Sequence, residues 1–489
     1  MALGRDTARG ALFTIGAGVV ARGIGLVSTL ALTHFISPSA YGAVTVAAVL
    51  VMTASQLSTL GLGQYLIATP GAPRSTAFHV TVLHLVSGLV AFGALLLWSG
   101  PLGIAFGATG LDAFLPALVF AAVVDRVSYV PERVLVRDMR FGWLSMARTV
   151  GELVYSISCL LLAILGWGPL ALVAGNVARS LVRATAFIGG VARRDWLEPS
   201  PLNKHETREL LAFGAPMALG ATAAFAARRW DNLLVAHFFG AGPAGAYNLA
   251  YNLADVPAIQ VGEQIGDVLL PSFARLEPSR RPSALLRSMA LLGLVVFPLA
   301  VGLGAIAHSL VAVLFDASWR SIGPMLVLLS ALSVTRPVGW VVASYLQASA
   351  RPTQILRLEL FKLALLGATI CTFGRQSPLW TCAAVGITFA LHALASLWVV
   401  ERGDGIPLRR SIGCLVPCFA ACFPLVIAVL GVRAAAQAVG GFSPIVELAF
   451  EIGAGALGYF AGASVFAREV SVDLVARLLD AVRTRQAPV

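Results

Sequence analysis

Charge is what this sequence has least of. Only 12% of its 489 residues are Asp, Glu, Lys or Arg, while 58% are hydrophobic and the mean hydropathy is +0.84. Soluble domains carry about 25% charged residues. A chain this poor in charge cannot clothe a water-facing surface, so a soluble enzyme of two or three domains is excluded and an integral membrane protein is required. Lysine is nearly missing: Lys204 and Lys362 stand alone among 35 basic residues, the rest being arginine. Cysteine is scarce too, with six residues at 159, 371, 382, 414, 418 and 422 that suggest no disulfide framework. Cys414, Cys418 and Cys422 share one helical face, but no His, Asp or Glu lies between them, which favours small packing residues over a metal site. No metal or other cofactor is expected.

Several motifs are missing. There is no GxxxxGK[ST] phosphate loop and no HExxH pair, so neither ATP hydrolysis nor zinc proteolysis is indicated. The outer connections, such as 167–169 and 240–244, are only a few residues long. Without a long polar outer loop to hold an active site, no enzyme is expected, and a glycan polymerase or acyltransferase is disfavoured. The first apolar run is too long for a signal peptide. The net charge of +11 is spread between apolar runs rather than gathered in one patch, so nucleic acid is not an expected partner.

What remains is a succession of apolar runs. Taken as helices they predict an all-α integral membrane protein of about 14 transmembrane spans, from 10–36 to 444–466. Residues 1–192 form a first six-helix lobe, 193–209 a polar linker, 210–402 a second six-helix lobe, 403–467 two additional helices, and 468–489 an amphipathic tail on the membrane surface. Alternating the loops across the bilayer puts 23 basic residues on the side of the N-terminus and three, Arg320, Arg375 and Arg433, on the other. That bias places both termini in the cytoplasm.

The chain also repeats. His34-Phe-Ile-Ser-Pro-Ser-Ala-Tyr-Gly42 aligns with His237-Phe-Phe-Gly-Ala-Gly-Pro-Ala-Gly245 at a displacement of 203 residues, which also sets Gly63 on Gly266. A unit of six helices preserves orientation, giving two pseudo-symmetric lobes about an axis along the membrane normal, the arrangement in which transporters bind substrate between lobes.

Charges inside apolar spans rarely face lipid, at about 2.5–3.5 kcal/mol each on insertion scales. The stretch 213–274 nevertheless carries Arg228, Arg229, Asp231, Asp255, Glu263 and Asp267. Asn248, Asn252, Asp255 and Glu263 fall within about 80° of one helical face, which reads either as a cavity lining or as an interhelical hydrogen-bond seam. Arg22 lies midway along the first span, and Arg179 and Arg183 share a face at i, i+4. Arg336 is deep in its span without an evident partner. Guanidinium groups clamp phosphate oxygens with paired donors, so Arg22, Arg228, Arg229, Arg179, Arg183 and Arg336 are candidates for an anionic, phosphate-bearing substrate. Arg126 and Arg148 read instead as snorkelling to the interface. Asp231, Asp255 and Glu263 serve either to hold a coupling proton or sodium ion or to pair with the arginines. Glu359 and Lys362 read as a structural pair.

The segment His34–Gly42, Gly16, Arg22, Leu60-Gly-Leu-Gly63, Phe213–Pro216, Gly240–Gly245 and Val268-Leu-Leu-Pro-Ser-Phe273 resembles the polysaccharide-transport, Wzx-like flippases of the multidrug/oligosaccharidyl-lipid/polysaccharide (MOP) exporter superfamily. The likeness extends to about residue 350. It implies a multi-pass flippase of the bacterial inner membrane that moves an undecaprenyl-diphosphate-linked oligosaccharide to the outer leaflet by alternating access, using a proton or sodium gradient. It also implies polysaccharide polymerase or glycosyltransferases as partners. Two other readings stand beside it: a cation-coupled multidrug extruder of the same superfamily, which an arginine-rich cavity opposes, and a non-transporting scaffold for envelope glycan assembly.

Overall fold

The computed structural model describes residues 23–25, 27–69, 73–108, 110–201, 203–440 and 442–474; the side chains of 68, 257–268 and 331–333 are outside that description. Arg22 and the side chain of Glu263 therefore lie outside the described residues. Everything regular among the described residues is helical. Ten helices there are long and apolar enough to cross a membrane, or eleven with the pair Ile322–Ser330 and Val334–Ala348, bent by 42°. The protein is thus all-α and multi-pass. Of the expected first span, 10–36, residues 10–22 and 26 lie outside the described residues, and the total of fourteen remains an expectation.

Packing separates the chain into two units, Met1–Asn248 and Leu249–Val489. The first holds α1 (Pro38–Leu57), α2 (Leu62–Ala68), α3 (Arg74–Leu97), α4 (Ser99–Ala105), α5 (Leu111–Val127), α6 (Tyr129–Arg137), α7 (Phe141–Ile164), α8 (Leu170–Gly189), α9 (Lys204–Phe239) and the start of α10 (Ala241–Arg275). The second holds the rest of α10, then α11 (Arg281–Ala305), α12 (Ala307–Leu314), α13 (Ile322–Ala348), α14 (Pro352–Thr372) and α15 (Pro378–Asp404). It ends with α16 (Leu408–Gly413), α17 (Val416–Ala420), α18 (Cys422–Ala438) and α19 (Pro444–Phe466). The stretch 193–201, which sequence alone reads as linker, packs within the first unit.

Local sequence explains the helix starts. In the Ser37-Pro38 turn, Ser37 Oγ accepts from the Ala40 amide at 3.4 Å while Pro38 supplies a preset first helical residue. Asn203 caps α9 in the same way, accepting from the His205 amide at 2.9 Å. Gly240, at φ +82°, turns the chain from α9 into α10, a conformation L residues rarely adopt.

The repeat leaves a physical trace in the first unit. A Cβ on Gly42 would fall on the carbonyl of Ala241, and a Cβ on Gly245 would fall on the carbonyl of Pro38. Gly42 and Gly245 are equivalent under the 203-residue displacement, and so are Pro38 and Ala241. Reciprocal contacts of this kind are what a local two-fold relation between the copies produces.

Candidate functional site

Two buried polar clusters interrupt the apolar interior. In the first unit, Asp231 sits on α9 with no solvent exposure. Tyr247 Oη donates to Asp231 Oδ2 at 2.6 Å, and the Asn232 amide and Nδ2 each reach Oδ1 at 2.9 Å. Asn232 Oδ1 accepts from Asn248 Nδ2 at 2.9 Å, and Tyr41 Oη lies 3.5 Å from Asn248 Oδ1. A buried carboxylate is tolerable only when such donors replace water. Asn248 thereby joins α10 to α9, as a hydrogen-bond seam does. Asn252 is exposed. Arg228, on the same helix as Asp231, is exposed and Arg229 half-buried.

In the second unit, the Asp255 carboxylate pairs with the Arg336 guanidinium, both almost fully buried. Arg336 also donates to Tyr251 Oη and lies 5.0 Å from the ring centroids of both Tyr251 and Phe389. Cations over aromatic faces gain about 0.5–2 kcal/mol, more when desolvated. Lys362 Nζ is 2.6 Å from Glu359 Oε2 and 5.7 Å from the same Phe389 ring. Four helices (α10, α13, α14 and α15) thus meet at two ion pairs sharing one aromatic ring. The partner that Arg336 lacks in sequence terms is Asp255, brought from far along the chain.

The other predicted arginines occupy the α7–α8 hairpin. Arg179 bonds Asn176 Oδ1 at 3.0 Å and Glu152 at 3.5 Å, with its guanidinium 4.9 Å from the Tyr155 ring. Arg183 lies over Phe187 at 5.7 Å and packs against Gly151, where a Cβ would strike it. Arg148 is half-exposed and pairs with Glu132 at 2.7 Å. Among the described residues, Arg179 and Arg183 lie on α8 and Arg228 and Arg229 on α9, all in the first unit, while Arg336 belongs to the second.

Arg126 corrects the sequence reading. It is 3% exposed rather than snorkelling. Its guanidinium donates to the His84 carbonyl at 2.6 Å, the Ser55 carbonyl at 2.7 Å and the Ser58 hydroxyl. Ser55 belongs to the last turn of α1 and Ser58 follows it, where carbonyls have no helical partner. Gly88 leaves the space the guanidinium fills. No local pattern announces a cap assembled from α1, α3 and α5.

The fold is that of MOP-superfamily transporters. A solved structure of the lipid II flippase MurJ, in its inward closed conformation, superposes with TM-score 0.76 at 13% identity, covering 94% of this chain and 99% of MurJ. An inward-facing multidrug resistance MATE family transporter superposes with TM-score 0.63 at 16% identity, covering 78% and 95%. At such identities the likeness establishes architecture alone. Residues 31–324 match the family model for polysaccharide biosynthesis proteins, and the chain belongs to that family. It is 27% identical over 392 residues to the lipopolysaccharide biosynthesis protein WzxC of Escherichia coli (strain K12), covering 79% of this chain and 78% of WzxC. It is 24% identical over 400 residues to the succinoglycan biosynthesis transport protein ExoT of Rhizobium meliloti (strain 1021), covering 80% and 79%. The protein is a multi-pass membrane protein of transporter type, not an enzyme.

Proposed function

We propose that this protein is a flippase carrying a polyprenyl-diphosphate-linked oligosaccharide across the bacterial inner membrane by alternating access, for assembly of a surface polysaccharide. The observation that carries this reading is the placement of Arg228 and Arg229 in mid-helix on α9, in a chain of a polysaccharide biosynthesis family. A diphosphate is the headgroup that guanidinium groups bind best, through paired charge-assisted hydrogen bonds. A pocket for cationic drugs would not be lined with them. The lobes are 1–192 and 210–402, with both termini cytoplasmic. Arg22 belongs with the headgroup-binding set, and Arg179, Arg183 and Arg336 serve as further cationic groups along the path. Asp231, Asp255 and Glu263 either hold the coupling proton or sodium ion or pair with the arginines, as Asp255 does with Arg336, and Asn248 and Asn252 are polar lining. A polysaccharide polymerase and glycosyltransferases would act beside it.

The test is a deletion strain complemented with Arg228→Ala/Arg229→Ala. At normal membrane levels of the variant, surface glycan should fall at least about tenfold, since losing one charge-assisted contact costs about 1.5–3 kcal/mol. Lipid-linked oligosaccharide should accumulate on the cytoplasmic face. Undiminished export would overturn the assignment.

A further inference from the structure

The elbow between α15 and α16, residues 398–410, presents a surface that transport chemistry leaves unused. Along α15, Ile387, Leu391, Leu394 and Trp398 are exposed and recur every three or four residues, which sets them on one face of the helix. Thr388, His392 and Ser396, on the opposite face, are buried. On a helix that crosses a membrane, an exposed row that is wholly apolar borders hydrocarbon rather than a water-filled path. The next residue on that row is Arg402, exposed, with its guanidinium carbon 4.6 Å from the centroid of the Trp398 ring. A tryptophan and an arginine closing an apolar row mark the level of the lipid headgroups.

The carboxylates beside Arg402 are engaged elsewhere. Arg351 grips Asp404 through both terminal guanidinium nitrogens, at 2.8 and 2.9 Å. Glu401 Oε1 accepts from the Leu408 amide at 3.0 Å, which folds the start of α16 back onto the last turn of α15. Ile406 and Ser411 are buried and Leu408 packs against the apolar core, so Arg409 and Arg410 lie on the exposed side of α16. Further along, Ile412, Val416 and Phe419 are exposed again. The elbow therefore shows three guanidinium groups to its surroundings, with an exposed apolar row running away on either side.

We propose that this elbow is a headgroup site for an anionic phospholipid of the surrounding membrane. Arg402, Arg409 and Arg410 hold its phosphate, and its acyl chains lie along the two apolar rows. The inference is independent of the substrate proposed above. Guanidinium groups match phosphate oxygens with paired donors. The Trp398 ring steadies Arg402, which lowers the cost of ordering a long side chain on binding. A free phosphate would make no use of the flanking apolar rows, which commits the site to a lipid.

The test titrates the purified full-length protein, in a neutral detergent, with phosphatidylglycerol and counts bound lipid by native mass spectrometry. The wild type should fill a first site with phosphatidylglycerol at concentrations where phosphatidylcholine of the same chain length leaves it empty. Arg402→Gln/Arg409→Gln/Arg410→Gln should weaken that site at least about tenfold, and Arg402→Gln alone at least about threefold, because each basic group beside an anionic lipid surface adds to the attraction. Arg193→Gln/Arg194→Gln/Arg208→Gln removes as many exposed positive charges from the first unit and should bind as wild type. Glycerol phosphate in large excess should leave the lipid bound. Equal binding of phosphatidylcholine, wild-type affinity in either elbow variant, an equal loss in the first-unit variant, or displacement by glycerol phosphate would overturn the proposal.

Discussion

Arg126 and Arg336 show two uses of a guanidinium in a membrane interior. Arg126 spends its donors on backbone carbonyls at the end of α1, which hydrocarbon would leave unsatisfied. Arg126→Leu removes those donors at about 1–3 kcal/mol per orphaned acceptor. We expect a marked drop in the temperature at which the purified protein aggregates, with Arg126→Lys recovering part of it. Arg336 instead answers a carboxylate. Breaking a buried pair from one side costs about 3–5 kcal/mol, because the survivor keeps its charge without its partner. Asp255→Asn and Arg336→Gln should each lower the denaturation midpoint in detergent, and the double variant should lose less than the sum. Strict additivity in that cycle would show the pair to be energetically idle.

At the level of elements, α9 is the organising piece. Its 36 residues extend about 54 Å at 1.5 Å each, against a hydrocarbon core of about 30 Å. It therefore extends beyond such a core by several turns, and its middle carries Arg228, Arg229 and Asp231. Leu219 is 54% exposed within the apolar length of α9, and Glu209 is exposed near its start. In a Cys371→Ser background, a membrane-impermeant maleimide should modify Glu209→Cys readily and Leu219→Cys hardly at all. Reaction of Leu219→Cys at a comparable rate would show that this face of α9 borders water. The existence of α9 and α10 was legible from two long apolar runs around Gly240, and so was the density of charge on them. The partners were not. Two helices lie between Asp255 and Arg336 along the chain and five between His79 and Glu206, and apolar periodicity carries no information about which helices touch. Arg126 was misjudged for the same reason: its acceptors are backbone groups, which every residue possesses.

For the whole molecule, hydropathy and the family likeness gave the membrane class and the helical architecture, since both depend on composition and element order. The division into units did not follow from composition. Trp196 and Glu206 pack the polar stretch 193–209 within the first compact unit and the chain divides inside α10, so these packing units are a different division from the two proposed lobes. The sequence repeat has a different kind of consequence. At the crossing of α1 and α10, Gly42 and Gly245 each present their bare Cα to the other copy's backbone. Both already carry the smallest side chain there is, so neither can shrink to accommodate growth in the other. A genetic selection for suppressors of Gly42→Val should therefore never return a change at residue 245, and compensation must come from mutations that move a helix rather than trim a side chain.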